Sequence, residues 1–434
     1  MRSAKKKNIS VIGLGKLGLC TAACIARAGY KVFGVDVDKA KVREINKGRS
    51  PIPETGLKEL MRKVAKRITA GHSIENAVRN SDMTFIVVAT PSKADNSFSN
   101  AQLLPVLKEI ARALKKKKSF HSVVITSTVM PYTTERIAGP LLERISGKIC
   151  GRDFGLAYNP EFIALGSVLK DFMNPDFILI GESDKRTGDA LVKIYKDVCR
   201  NKPAFARMKP VSAEITKIAL NCYVTTKITF ANTLARICER APGSSVSDVT
   251  RALGFDSRIG SKYLKGGLGY GGPCFPRDNR AFARFAKNVG MQAVLAKAVD
   301  NVNRSMVKRI ANVVRRDLNG KKRVSVLGLS YKPNTEIVEA SQSLELAAYL
   351  ADSGMRVKVY DPAAMNNAKQ ILGNKVQYAK NMKDSVKNTD CCILATPWEE
   401  FKRLPGMISK TSRKAKVFDI WGLNDYKRQG GLVR

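Results

Sequence analysis

Asn8-Ile-Ser-Val-Ile-Gly13-Leu-Gly15-Lys-Leu-Gly18-Leu-Cys20 is the stretch whose reading decides the fold. An apolar, β-rich run, Ile9 to Ile12, feeds directly into Gly13-x-Gly15-x-x-Gly18. A helical segment follows to Ala28 and Gly29 ends it; a second strand, Lys31 to Val35, then stops at Asp36. Strand, glycine turn, helix, strand and acid, in that order, form a dinucleotide site. The glycines permit a tight turn and let a pyrophosphate approach the helix N-terminus, so Gly13, Gly15, Lys16, Leu17 and Gly18 are cofactor-binding candidates. Asp36 is placed to accept hydrogen bonds from ribose hydroxyls. Its charge disfavours the extra phosphate of NADP, which makes NAD the expected cofactor. A lone GxGxxG is weak evidence; the two flanking strands and the acid make this one specific.

The alternation continues outward. Met83 to Ala89 reads as a strand ending in Thr90-Pro91-Ser92, and Val123 to Thr126 as another ending in Ser127-Thr128-Val129. Ligands of doubly wound sheets bind beyond the carboxyl ends of strands, so Thr90 and Thr128 are candidates for the nicotinamide half of the cofactor. A second doubly wound pattern starts near Lys321: strands at Arg323–Leu329, Val357–Asp361 and Cys391–Thr396, with a helix at Leu344–Ser353. Between the two patterns, Val211 to Arg240 contains no proline or glycine and repeats apolar residues every three or four positions. At 1.5 Å per residue such a helix spans about 45 Å, enough to join two domains and offer a dimer surface. Lys217 and Asn221, four apart, share one of its faces.

Composition sets outer limits. A chain of 434 residues exceeds one ordinary core. No apolar run reaches the roughly 18 residues of a membrane span, and the basic N-terminus lacks the apolar segment of a signal peptide. Nine cysteines lie scattered without a CxxC pair or metal-like spacing, which points to reduced thiols in a cytoplasm and to no metal site. The net charge of +39, from 76 basic and 37 acidic residues, invites a nucleic-acid reading. The basic residues are spread along the chain, with Lys115–Lys118 the one tight run, and no nucleic-acid-binding motif is visible. The charge is therefore read as a surface property that favours anionic substrates.

A third stretch carries chemistry: Gly266-Gly267-Leu268-Gly269-Tyr270-Gly271-Gly272-Pro273-Cys274-Phe275-Pro276-Arg277-Asp278. Its glycines let backbone N–H groups approach an anionic ligand. A helix starting near Pro276 puts Cys274 at its N-terminus, where the dipole favours a thiolate, and Asp278 within about a turn of the sulfur.

This loop resembles the Gly-Gly-x-Cys-x-Pro-Lys-Asp pattern of the UDP-glucose/GDP-mannose dehydrogenase family, with Arg277 in place of the lysine. Further stretches, from Ile9 to about Asp419, resemble that family in its own order. Asn159-Pro160-Glu161-Phe162-Ile163-Ala164-Leu165-Gly166 resembles its Asn-Pro-Glu-Phe-Leu-x-Glu-Gly element, with Leu165 where the second glutamate stands. Ala213-Glu214-Ile215-Thr216-Lys217 with Asn221 resembles the element carrying a catalytic lysine and asparagine. Lys332-Pro333-Asn334-Thr335 resembles its Lys-Pro-Asn-Thr-Asp motif, after which Glu339 replaces an arginine.

The resemblance implies an α/β protein of two Rossmann-like doubly wound domains joined by a long central helix and a helical middle segment. Its divisions would be 1–205 for NAD, 206–305 for the centre and the cysteine loop, and 306–434 for the nucleotide sugar. It implies Cys274 as nucleophile, with Lys217, Asn221, Asp278, Glu161 and Thr128 as further catalytic residues. Glu161, Lys217, Asn221, Arg258, Tyr263, Gly271 and Lys332 would contact substrate, Arg258 often in the neighbouring subunit. The implied reaction is NAD-dependent, four-electron oxidation of a nucleotide sugar, UDP-glucose first and UDP-N-acetylhexosamines next, in a cytoplasmic homodimer or higher homo-oligomer. A two-electron hydroxy-acid dehydrogenase and a non-catalytic nucleotide or nucleic-acid binder are the alternatives.

Overall fold

The computed structural model describes residues 6–163, 166–411 and 415–424. The chain divides into two compact units, Met1–Ile218 and Ala219–Arg434. No helix among the described residues is long and apolar enough to cross a membrane.

The first unit is built on eight strands: β1 (Ile9–Ile12), β2 (Val32–Val35), β3 (Ile68–Gly71), β4 (Met83–Ile86), β5 (His121–Ile125), β6 (Phe154–Tyr158), β7 (Phe177–Glu182) and β8 (Ala204–Met208). Their spatial order is β3-β2-β1-β4-β5-β6-β7-β8. Pairings are parallel except β6 with β7. Order reverses at β1, which pairs with β2 on one side and β4 on the other, each from Ile9 onward. Alternate residues feed two cores on opposite faces: Ile9, Val11 and Val124 into one, Ile12, Val123 and Ile125 into the other. That two-sided burial explains why these strands read as continuous apolar runs.

The glycine turn after β1 follows from close packing. A Cβ on Gly18 would stand 1.8 Å from the Gly13 carbonyl oxygen, so only glycine lets the helix Lys16–Arg27 start there. Asp36, at the end of β2, holds the turn: its carboxylate accepts from the N–H of Leu14 (2.8 Å) and of Asp38 (2.9 Å).

The second unit has five parallel strands: β9 (Arg323–Leu327), β10 (Arg356–Tyr360), β11 (Gln377–Tyr378), β12 (Cys391–Leu394) and β13 (Lys416–Asp419), ordered β11-β10-β9-β12-β13. Val324, Val326 and Ile393 face one core; Leu327, Cys392 and Leu394 face the other. Its first turn echoes that of the first unit: Val326-Leu-Gly328-Leu-Ser330 stands for Val11-Ile-Gly13-Leu-Gly15. Gly328 and Gly13 both adopt positive φ, +94° and +91°. Asp361, at the end of β10, accepts from the N–H of Leu329 (2.7 Å) as Asp36 does from Leu14. The copy is filled, however. Ser330 is fully buried, and its hydroxyl meets Asp361 (3.0 Å) and the indole N–H of Trp398 (3.2 Å).

The predicted middle helix is Pro210–Cys238. Within the second unit it is followed by the helices Val246–Phe255, Phe275–Asn288 and Val294–Leu318. Most strands end earlier at their carboxyl ends than the apolar runs suggest, because Val87–Ala89 and Gly328–Leu329 leave the ladder toward the ligand-facing edge.

Candidate functional site: a dinucleotide turn and an exposed thiol

The dinucleotide turn has the features a pyrophosphate needs. Gly15 caps the helix Lys16–Arg27 with no side-chain hydrogen bond, and a Cβ placed on it would find nothing within 4 Å. Backbone N–H groups at that helix end, with space before them, favour an anion. Lys16 and Leu17 sit in the first turn, half-buried. Val37, next to Asp36, is 96% exposed, a bare apolar side chain beside the acid at the end of β2, and one the sequence reading missed. Its signal was an apolar residue directly after the acid. At the neighbouring strand ends, the buried Thr90 hydroxyl donates to the Thr128 carbonyl (2.6 Å), so the two threonines are fastened together.

Glu161 follows β6 by three residues. Its Oε1 lies 2.8 Å from the Tyr195 hydroxyl, whose oxygen also lies 2.6 Å from Asn159 Oδ1. One hydroxyl hydrogen cannot serve both acceptors. Asn159 is held the right way round by its Nδ2, which donates to the Leu179 carbonyl (2.8 Å). A protonated Glu161 resolves the conflict by donating to Tyr195 while Tyr195 donates to Asn159. Burial favours this protonated form and pushes the Glu161 carboxyl up to about 7, while a hydrogen bond donated by Tyr195 and the Lys217 ammonium favour the charged form and pull it down. Lys217 is itself buried; its Nζ donates to the Glu161 backbone carbonyl (2.6 Å) and lies 4.5 Å from the centre of the Phe162 ring. Leu165 lies outside the described residues.

Sequence reasoning also missed Glu214, fully buried on the long helix three residues before Lys217. Its carboxylate accepts from the N–H of Tyr132 (2.6 Å), the N–H of Thr134 (2.8 Å) and the Thr134 hydroxyl (2.7 Å). It thereby ties the turn after Thr128 to the helix that carries Lys217. Burial pushes this carboxyl up to about 7 as well, partly offset by those hydrogen bonds. Its signal was an acid in the otherwise apolar face of the helix.

In the second unit, Cys274 is exposed and occupies the N-cap of the helix Phe275–Asn288, with Pro276 in the first turn. Asp278 donates its backbone N–H to the Cys274 carbonyl (2.8 Å). Its carboxylate, 1% exposed, accepts from Asn221 Nδ2 (2.6 Å) and from the Arg277 guanidinium (3.3 Å). Asp278 is therefore a clamp on Asn221, which is itself buried, and not an open base. Lys217 and Asn221, one turn apart, are both buried on the long helix.

The loop before Cys274 differs from the anion cradle expected of it. The N–H groups of Gly267, Gly269, Tyr270 and Gly272 are already bonded to Asn232, Gln342, Asn303 and the Glu339 carbonyl. A Cβ on Gly269 would stand 2.1 Å from Asn303 Oδ1, and one on Gly272, at φ +83°, 2.5 Å from the Tyr331 ring. The glycines serve close packing against other protein segments. Gly271 is half-buried against Ala340. Tyr263 is 53% exposed, at φ +63°, with its ring edge-on to Phe275. Arg258 is exposed and paired with Asp256 (2.6 Å). Lys332 follows β9, its Nζ 5.8 Å from the centre of the Tyr331 ring. Glu339 is exposed, and it is its backbone that holds the cysteine loop.

Three family models cover the chain in order: the NAD-binding domain of the UDP-glucose/GDP-mannose dehydrogenase family at 7–199, its central domain at 211–305 and its UDP-binding domain at 325–426. The chain belongs to the UDP-glucose/GDP-mannose dehydrogenase family. It is 36% identical over 400 residues to a UDP-glucose 6-dehydrogenase of Haloferax volcanii, covering 91% of this chain and 92% of the relative. It is 35% identical over 403 residues to one of Bacillus subtilis, covering 92% and 89%. Among solved structures, a UDP-glucose dehydrogenase from Pyrobaculum islandicum superposes with a TM-score of 0.89 at 35% identity, over 99% of this chain and 96% of that one. The family's NAD-binding domain is the one that contains the Gly13–Gly18 turn and Asp36.

Proposed function

We propose that the chain oxidises the C6 alcohol of UDP-glucose to the carboxylate in two NAD-dependent steps, with the sugar held on Cys274 between them. The carrying observation is an exposed thiol at the head of a helix whose buried Asp278 pins the Asn221 amide, in a member of this family. Similarity to relatives named for UDP-glucose favours that sugar over a UDP-N-acetylhexosamine.

NAD, when bound, supplies the hydride acceptor for each of the two oxidations. Gly13, Gly15, Lys16, Leu17 and Gly18 would hold its pyrophosphate, Asp36 its ribose and Val37 its base, and Thr90 and Thr128 would stand at the nicotinamide end. The proton of the C6 hydroxyl passes to water as the hydride leaves C6, and charge develops on O6. The Lys217 ammonium and the second N–H of the Asn221 amide stabilise it. The Cys274 sulfur then attacks the C6 aldehyde. The carbonyl π-pair becomes the oxyanion of a thiohemiacetal, and the helix N-terminus stabilises the charge that the sulfur carries beforehand. After the second oxidation the C6–S thioester is cleaved by water. Glu161 takes the water proton, and the thiolate leaves. A carboxyl titrating near 7 suits a group that must accept and return a proton at neutral pH. Arg258, Tyr263, Gly271 and Lys332 bind the nucleotide sugar.

In this reading residues 1–205 bind the cofactor, 206–305 link, and 306–434 bind the substrate. The long helix exposes Tyr223, Phe230 and Ile237 at 64%, 52% and 57%. They stand seven residues apart, the spacing of a seam between two helices, and a second copy of the chain is the occupant that fits. Arg258, exposed and paired with Asp256, then serves the partner's substrate. Among the described residues no two cysteines are joined in a disulfide, which suits a cytoplasmic setting. The test is a screen for NADH release across UDP-glucose, UDP-N-acetylglucosamine, UDP-N-acetylmannosamine and GDP-mannose. Fastest turnover of UDP-glucose is expected; release on an N-acetylated sugar alone refutes the assignment.

A further inference from the structure

The second unit contains a cleft of about 1090 Å³ that the proposed oxidation does not use. Its floor is one face of the helix Val294–Leu318, and its walls are the end of the long helix near Arg240, the segment just before β9 and the turn just before β10. Both strands point away from it. The cleft thus lies at the amino-terminal edge of the sheet, whereas Lys332 stands beyond the carboxyl end of β9. Five residues of strand separate the two edges by roughly 16 Å. It is a separate site from that of the nucleotide sugar.

Its lining is strongly cationic. Arg240, Lys308, Arg315, Arg316, Lys321 and Lys322 are all exposed around it. Glu239 is the one acid of the lining among the described residues, and it is already paired with Arg309. Among the described residues, Arg240, Lys308, Arg315, Arg316 and Lys322 form no ion pair. Cations packed this densely around a concave surface repel one another and focus a positive potential, which an anion of matching charge relieves. Ser305, Asn312 and Ser353 add neutral hydrogen-bonding groups. Among the described residues no aromatic side chain lines the cleft, so none of them stacks on a base there. Its volume suits a small ligand and not a duplex.

We propose that this cleft binds a compact polyphosphate anion, recognised through its phosphates alone. The tight turns at Gly320 and Gly354, φ +86° and +80°, bring backbone to the rim on both sides of the sheet edge.

The probe is inorganic tripolyphosphate, titrated calorimetrically into the full chain at about 150 mM salt, with UDP-glucose present to fill the substrate site. One saturable event per chain is expected. The double variant Lys308→Glu/Arg316→Glu should weaken it about tenfold or more, and Lys321→Gln/Lys322→Gln by a smaller factor, both with unchanged NADH release. Absence of saturable binding at that salt, or equal binding by both double variants, overturns the proposal. Tighter binding of single-stranded RNA or a polygalacturonate fragment, lost in the same variants, also overturns it by assigning the cleft to an extended polymer.

Discussion

Glu161→Gln should stabilise this protein, and only in alkaline solution. In the folded chain the carboxyl titrates near 7 because burial disfavours its charge. Free in the unfolded chain it titrates at the ordinary value, 4.5. A raised folded value means the fold prefers the protonated form. The contribution is therefore fully present below 4.5 and is lost as pH rises through about 7. At roughly 1.4 kcal/mol per pH unit of displacement, ionising Glu161 within the fold costs about 3 kcal/mol. Glutamine reproduces the neutral acid: its amide can donate to the Tyr195 oxygen while Tyr195 donates to Asn159. Denaturant unfolding of wild type and variant, followed by circular dichroism at pH 5 and pH 8.5, reads the effect. The variant should gain about 2–3 kcal/mol relative to wild type at the higher pH and under about 1 kcal/mol at the lower. The same carboxyl acting as base makes kcat/KM of the wild type fall below about pH 7. An equal gain at both pH values, or none, would mean that Glu161 is already ionised in the fold, and the proton-sharing account of Tyr195 and Asn159 would fail.

Glu214→Ala removes the acceptor of three hydrogen bonds from Tyr132 and Thr134, the two from Thr134 buried, so it should cost about 3 kcal/mol, measured by denaturant unfolding. Phe230→Glu places a charge in the exposed apolar seam of the long helix; light scattering should show a smaller assembly with folded secondary structure retained, and an unchanged mass removes the seam as an interface.

The elements that were legible are those whose signal is local. Gly13, Gly15, Gly18 and Asp36 lie within one strand–helix–strand unit, where the glycines make the tight turn and Asp36 fastens it. The four-residue interval of Lys217 and Asn221 survives because a helix fixes it, and Cys274 caps its helix because Pro276 suits a first turn. What failed was set by partners far along the chain. The glycines before Cys274 look like a ligand cradle, but Asn232, Asn303 and Gln342 take their N–H groups from 35, 33 and 73 residues away. Asp278 resembles a free acid until Asn221, 57 residues distant, is seen bound to it. Tyr195 and Glu161 meet across 34 residues. β8, at the sheet edge, reads Ala-Phe-Ala-Arg-Met and buries none of its five residues fully, so its alanines and arginine gave no run of large apolar residues to announce it.

The central claim is that one sulfur holds the half-oxidised sugar, and the stoichiometry of reduction tests it most directly. Limiting UDP-glucose with excess NAD should give two NADH per sugar consumed in the wild type, with UDP-glucuronate the product and no free aldehyde. Cys274→Ala should still bind NAD yet form no uronate. One NADH per sugar in the wild type, or full uronate formation by Cys274→Ala, would contradict the account.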